Sequence, residues 1–322
     1  MTKNYIETLR EMSVSDNIEK MANTFWPTWK KEINKLAPKM NAAQVLNLAD
    51  HLREIFQSTN PKTMKKKASG REQGDLTNSG KAWELLICNY LNLCLIGTRA
   101  VAFKKKKKFM PEPFSNALTV KIGNWSEKSE TDLGLIVFPD KPEFTSNLTE
   151  HVTISNDKIR LLRNKNKSII QKKLIEYRDF LTDKYFNLFE FHNLQLKTNW
   201  NDVAQTPLLW DIIYRMSSIP QKNITVGINN YNISNLKSFT YSFVTVPSQK
   251  NISKYKSTRA EVNRVRNLLG GNYWGLPTKN GIASSLKEFF QSNISPEISG
   301  NLRVTLDKEL KKLSTEYSYF EL

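Results

Sequence analysis

Cysteine and histidine are scarce: two cysteines and three histidines in 322 residues. Cys88 and Cys94 lie six apart in one apolar segment, on different faces of a helix, so no bridge joins them. Two cysteines at that spacing cannot build a zinc site. Both read as small buried hydrophobes of a reducing compartment, which points to the cytoplasm. His51, His151 and His192 are too scattered for histidine-based hydrolysis. No apolar run reaches the ~20 residues of a membrane-spanning helix, since Leu85–Ile96 is interrupted by Asn89 and Asn92. Met1-Thr2-Lys3-Asn4-Tyr5 has no signal-peptide pattern, and no membrane partner is expected. A phosphate loop is absent: Gly74 to Gly80-Lys81 is one residue too long, and Ala82 stands where Ser or Thr is needed.

Acidic residues are also in deficit. Lys and Arg number 48 against 31 Asp and Glu, a formal charge of +17. Hydrophobic residues make up 39% and aromatics 11%, enough to build a core and exclude disorder. The excess charge favours a polyanion, nucleic acid before an anionic membrane, with an ordinary solvated basic surface as the alternative.

Residues 1–60 read as a helical N-terminal region, with Leu48, Leu52, Ile55 and Phe56 at helical spacing and Asn41 as a cap. Residues 61–80 read as a basic linker or DNA-contacting loop carrying Lys65, Lys66, Lys67 and Arg71. Residues 81–322 read as one α/β domain. Its helices are expected at 81–96, 207–216, 259–269, 284–290 and 306–313, with a long inserted basic helix over 157–184. Strands are expected at 100–103, 118–123, 133–138, 188–197, 224–228 and 239–246.

Two segments carry the candidate chemistry: Thr131-Asp132-Leu133-Gly134 and Leu194-Gln195-Leu196-Lys197. If strands 133–138 and 188–197 pair antiparallel, the start of the first lies beside the end of the second. Asp132 then approaches Gln195 and Lys197, which alternation puts on one face. A carboxylate, an amide oxygen and an ammonium group at one point suit metal-assisted phosphodiester hydrolysis. The other reading is an exposed strand face with a snorkelling lysine. Pro139-Asp140 falls at the far end of the hairpin and reads as a turn. Glu190 falls on the opposite face from Gln195 and reads as an ion-pair partner.

These residues resemble the PD-(D/E)xK nuclease superfamily, in particular type II restriction endonucleases. The similarity spans roughly residues 80–290 and includes Glu84 on the preceding helix; Asn272-Tyr273-Trp274-Gly275 is similar to a segment of some such enzymes. It implies a central mixed β-sheet flanked by helices. It also implies a Mg²⁺ ion held by Asp132, Gln195 and Glu84, with Lys197 as the catalytic lysine. Thr131 replaces the motif's proline and Gln195 its second acid, so that ligand brings no charge. The implied function is site-specific cleavage of double-stranded DNA by a homodimer, or by one subunit of a heterodimer, with a cognate DNA methyltransferase. A non-catalytic nucleic-acid-binding protein on a decayed nuclease fold, and a structure-selective repair nuclease, are the alternatives. For DNA contact the candidates are Lys104, Lys106, Asn199, Arg259, Arg264, Arg266 and Asn272, read as base or phosphate contacts or as solvated side chains.

Overall fold

The structure is a computed structural model. It describes residues 3–59, 73–106, 108–128, 131–146, 152–154, 157–159, 167–198, 205–216, 223–245, 258, 260–271 and 286–322. Three helices come first: α1 (Tyr5–Met21), α2 (Trp26–Leu36) and α3 (Ala42–Ser58). Asn4 caps α1 by accepting from the Glu7 N–H at 2.9 Å, and Asn41 caps α3 by accepting from Gln44 N–H at 3.0 Å. In α2 the buried residues Trp26, Trp29 and Ile33 recur at helical spacing and set its inward stripe.

Helix α4 (Gln73–Cys94) is the centre of the molecule. From Ala82 onward every residue of it except Glu84 is buried, so this C-terminal part of the helix is enclosed by the core. It begins eight residues before the expected start at Lys81, taking in the end of the expected linker. There follow β1 (Ala100–Lys104), α5 (Glu112–Ala117), β2 (Thr119–Ile122), β3 (Trp125–Lys128), β4 (Leu133–Val137), α6 (Pro142–Thr145), β5 (Val152–Ile154), β6 (Asp157–Ile159), α7 (Lys167–Lys184) and β7 (Glu190–Lys197). The chain continues through α8 (Gln205–Arg215), β8 (Ile224–Val226), β9 (Ser238–Thr245), α9 (Ala260–Arg266), α10 (Leu286–Asn293), α11 (Pro296–Ser299) and α12 (Leu302–Glu309).

The expected helix over 157–184 is therefore too long. Asp157–Ile159 is a strand, paired antiparallel with the β-branched run Val152-Thr153-Ile154, and the described part of the helix is α7, Lys167–Lys184. β-branched residues favour extended backbone, and strand pairing overrides the helical spacing of the apolar residues.

The main sheet is mixed, in the order β1-β4-β7-β9. Pairs β1/β4 and β4/β7 are antiparallel; β7/β9 is parallel. Helix α8 lies between β7 and β9 in the chain and packs on β9, as a parallel return requires. All five residues of β4 are buried, the mark of a strand covered on both faces. One face, with Leu133, Leu135, Leu194 and Leu196, shares a core with α2–α4, α10 and α12. The other, with Ile136, Phe191, Tyr241 and Phe243, shares a core with α5, α7 and α9. Gly134 lets the two rings close over β4: a Cβ there would stand 3.1 Å from Phe103 and Phe191, so a ring would have to shift to admit it.

Strand β1 is an edge, and side chains cover it. Arg10 donates to the carbonyl of Ala100 at 2.8 Å, and Ser13 to that of Ala102 at 3.0 Å. Asn92 donates to the Ala102 carbonyl at 2.7 Å and accepts from its N–H at 3.0 Å. Backbone groups that would otherwise recruit another strand are thus occupied. A second sheet, β3-β2-β8, is entirely antiparallel and stands on the α5 side.

Candidate functional site

Register brings the candidate residues together. β4 and β7 align Leu133 with Leu194 and Gly134 with Asn193. One step further along, the Asp132 N–H donates to the Leu194 carbonyl at 3.2 Å. The Leu196 N–H then donates to Asp132 Oδ2 at 2.6 Å. The Asp132 side chain thus continues the ladder where backbone pairing stops, and its carboxylate is held beside Gln195. Across the other edge of β4, Lys104 aligns with Leu133, and Lys105 N–H donates to the Asp132 carbonyl at 3.3 Å.

Strand alternation puts Asn193, Gln195 and Lys197 on the face of Phe191, opposite Leu194 and Leu196. Gln195 is fully buried, whereas Asp132 and Lys197 are half-buried. The hydroxyl of Tyr241 on β9, itself fully buried, donates to Gln195 Oε1 at 2.7 Å. Sequence reasoning missed Tyr241. The parallel register places it opposite Asn193, and no local spacing announces that.

Glu84 reaches the same end of the sheet from α4, but its partner is Lys104, with Nζ to Oε2 at 2.5 Å. Lys104 shares the face of Ala100 and Ala102, which packs on α4, whereas Gln195 stands on the other face. Glu84 thus pairs with Lys104 on the α4 side of the sheet, while Asp132 and Gln195 meet at the β4/β7 register. Two further lysines of that run, Lys106 and Lys108, also have carboxylate partners while keeping part of their surface in solvent. Lys106 meets Asp16 at 2.6 Å, and Lys20 and Lys108 also pair with that carboxylate. Partial burial pushes the Asp16 carboxyl up, but hydrogen bonds from Lys106, Lys108 and Lys20 outweigh it and hold the group well below the usual carboxylate range.

At the far end of β7, Glu190 pairs with Lys237 at 3.1 Å and accepts from the Ser295 N–H at 3.0 Å. Burial raises its carboxyl, yet His192, Ser295 and Lys237 bring it down to about 2. His192 is buried beside it; burial lowers that imidazole, with Glu190 partly offsetting the effect. Both stand on the face opposite Gln195, as alternation predicts, and Asp140 is an exposed residue past the end of β4.

Of the remaining candidates, Arg264 is half-buried and Arg266 exposed on α9, whose inward side is Val262 and Val265. Lys65, Lys66, Lys67, Arg71, Asn199, Arg259 and Asn272 lie outside the described residues. Among the described residues, no three His, Cys, Asp or Glu side chains are gathered as a metal cage would need. Magnesium does not require one: it commonly takes one or two carboxylates together with substrate phosphate oxygens and water. Asp132 fits that role, since Leu196 N–H orients it and it is not fully buried. Gln195 and Glu84 are engaged by Tyr241 and Lys104. Among the described residues, no helix is long and apolar enough to cross a membrane. No protein-family model matches the chain, and a search of the curated proteins returns no match.

Proposed function

We propose that this protein is a Mg²⁺-dependent, sequence-specific endonuclease of restriction type acting on double-stranded DNA. The observation that carries the reading is the β4/β7 register, which sets Asp132 beside Gln195 with Lys197 two residues on. The mixed sheet with helices on both faces, and the charge of +17, support it. Asp132 would hold the ion together with a phosphate oxygen of the substrate. Bound there, magnesium lowers the pKa of a coordinated water and offsets charge on the scissile phosphate. The Lys197 ammonium, half-buried on the same side, would orient the attacking water and donate to the phosphate oxygens as charge develops. Gln195, pinned by Tyr241, would present its amide at the metal's edge without adding negative charge. Cutting both strands of a symmetric site calls for a two-fold dimer, and a partner methyltransferase would protect host DNA.

Digestion of plasmid DNA tests this. Wild-type protein with Mg²⁺ should give discrete fragments, EDTA should stop cutting, and Asp132→Ala should lose cleavage while keeping DNA affinity. Full activity in Asp132→Ala rejects the site.

A second reading, a DNA-binding protein without catalysis, is favoured by one arrangement. Glu84 is tied to Lys104 and the Gln195 oxygen to Tyr241, leaving Asp132 as the acid beside Gln195 among the described residues. Under that reading, DNA is bound but not cut with any divalent ion.

A further inference from the structure

A two-residue turn carries the most exposed large aromatic among the described residues. Strands β2 and β3 are joined by two residues, Gly123 and Asn124, because Ile122 pairs directly with Trp125. Gly123 has φ +59°, the conformation a two-residue hairpin asks of its first central residue, and its N–H is held by the Asn223 carbonyl at 2.7 Å. The tip is therefore stiff. Ile122 also pairs with Ile224 on β8, so Trp125, Ile122 and Ile224 form one row on a single face of the sheet. All three are exposed: Trp125 at 63%, Ile122 at 39% and Ile224 at 38%. Two positions back on the same face, Val120 and Val226 are buried in the core. The row thus projects beyond the body of the protein. Lys121 and Lys128, both exposed, stand on the opposite face of the same hairpin.

We propose that this hairpin enters a groove of duplex DNA, with Trp125 and Ile122 wedged against a base step and Lys121 and Lys128 on the flanking phosphates. The inference rests on the nucleic-acid reading given above and names how that substrate is held. Two observations select DNA over another protein surface. An apolar wedge with cations behind it matches the apolar base faces and anionic walls of a groove wide enough to admit a two-stranded ribbon. The hairpin is also leashed to the site: Trp125 and Asp132 are seven positions apart, at most about 25 Å of extended chain. That is roughly seven base-pair steps of duplex, so one DNA segment can meet both.

The test uses the full-length protein in EDTA, a fluorescein-labelled duplex of mixed sequence for affinity, and the same duplex carrying 2-aminopurine to report unstacking. Wild-type protein should bind and raise the 2-aminopurine signal. Trp125→Ala, an exposed change that should leave thermal stability unaltered, should bind about tenfold more weakly and give no rise. Trp125→Phe should keep most of both. If wild-type binds and Trp125→Ala matches it in affinity and signal, the wedge is wrong and the nucleic-acid reading stands. If wild-type binds no duplex even at low salt, both fall. If Trp125→Ala instead splits a wild-type dimer without changing DNA affinity, the row is a self-association surface and the proposal is overturned.

Discussion

Replacing Tyr241 with Phe removes one hydroxyl and little else. The ring keeps its packing against Tyr214, whose centroid lies 6.0 Å away, and both Tyr241 and Gln195 are fully buried. What is lost is the donor to Gln195 Oε1 at 2.7 Å. A neutral hydrogen bond contributes about 1 kcal/mol net, and withdrawing a donor from a buried acceptor costs about 1–3 kcal/mol. The expected destabilisation is about 1–3 kcal/mol, a fall of a few degrees in the unfolding midpoint. Urea unfolding of Tyr241→Phe, Gln195→Leu and the double variant isolates the contact. With Leu at 195 the hydroxyl has lost this acceptor, so the second substitution should cost less, with a coupling of about 1 kcal/mol or more. Cleavage supplies an independent readout: if the hydroxyl fixes the amide beside Asp132, Tyr241→Phe should raise the Mg²⁺ concentration needed for half-maximal activity. Strict additivity within about 0.5 kcal/mol, with unchanged Mg²⁺ dependence, would refute the claim that Tyr241 positions Gln195.

Three other outcomes are expected. Glu190 is held at about 2 in the folded protein, below the ~4.3 of an unfolded glutamate, so its stabilisation is present above ~4.3 and is lost as pH falls through about 2. Urea midpoints measured from neutral to acid pH should show a shallower acid loss in Glu190→Gln than in wild type; identical slopes would contradict the assignment. Burial pushes the Cys88 thiol up to about 11 and Cys94 to about 12. Both should resist a thiol-reactive dye until the protein is unfolded, and rapid labelling of the native state would show the helix is not enclosed. DNA affinity should fall with salt at about −0.9 per neutralised phosphate on a log–log plot, and a flat response would remove the electrostatic argument.

Much of the local structure was legible because it is encoded within a few residues. Asn41 caps α3 through a side chain three positions from its donor. The apolar run Leu133 to Phe138 reads as a strand, of which Leu133–Val137 forms β4, and alternation alone separates Glu190 from Gln195. Even the approach of Asp132 to Gln195 follows from sequence, since an antiparallel pair aligns the start of one strand with the end of the other.

Tertiary structure decided the partners. Lys104 and Lys106 look like free cations in a run of five lysines, yet one meets Glu84 and the other Asp16, 90 residues earlier in the chain. Tyr241 reaches Gln195 only because a parallel strand returns through α8 with a particular register. Asp157–Ile159 becomes a strand because a β-branched partner lies across from it. Caps and periodicity act over one or two turns of chain, whereas an ion pair or a buried hydrogen bond depends on which distant group the packed core carries to within about 3 Å.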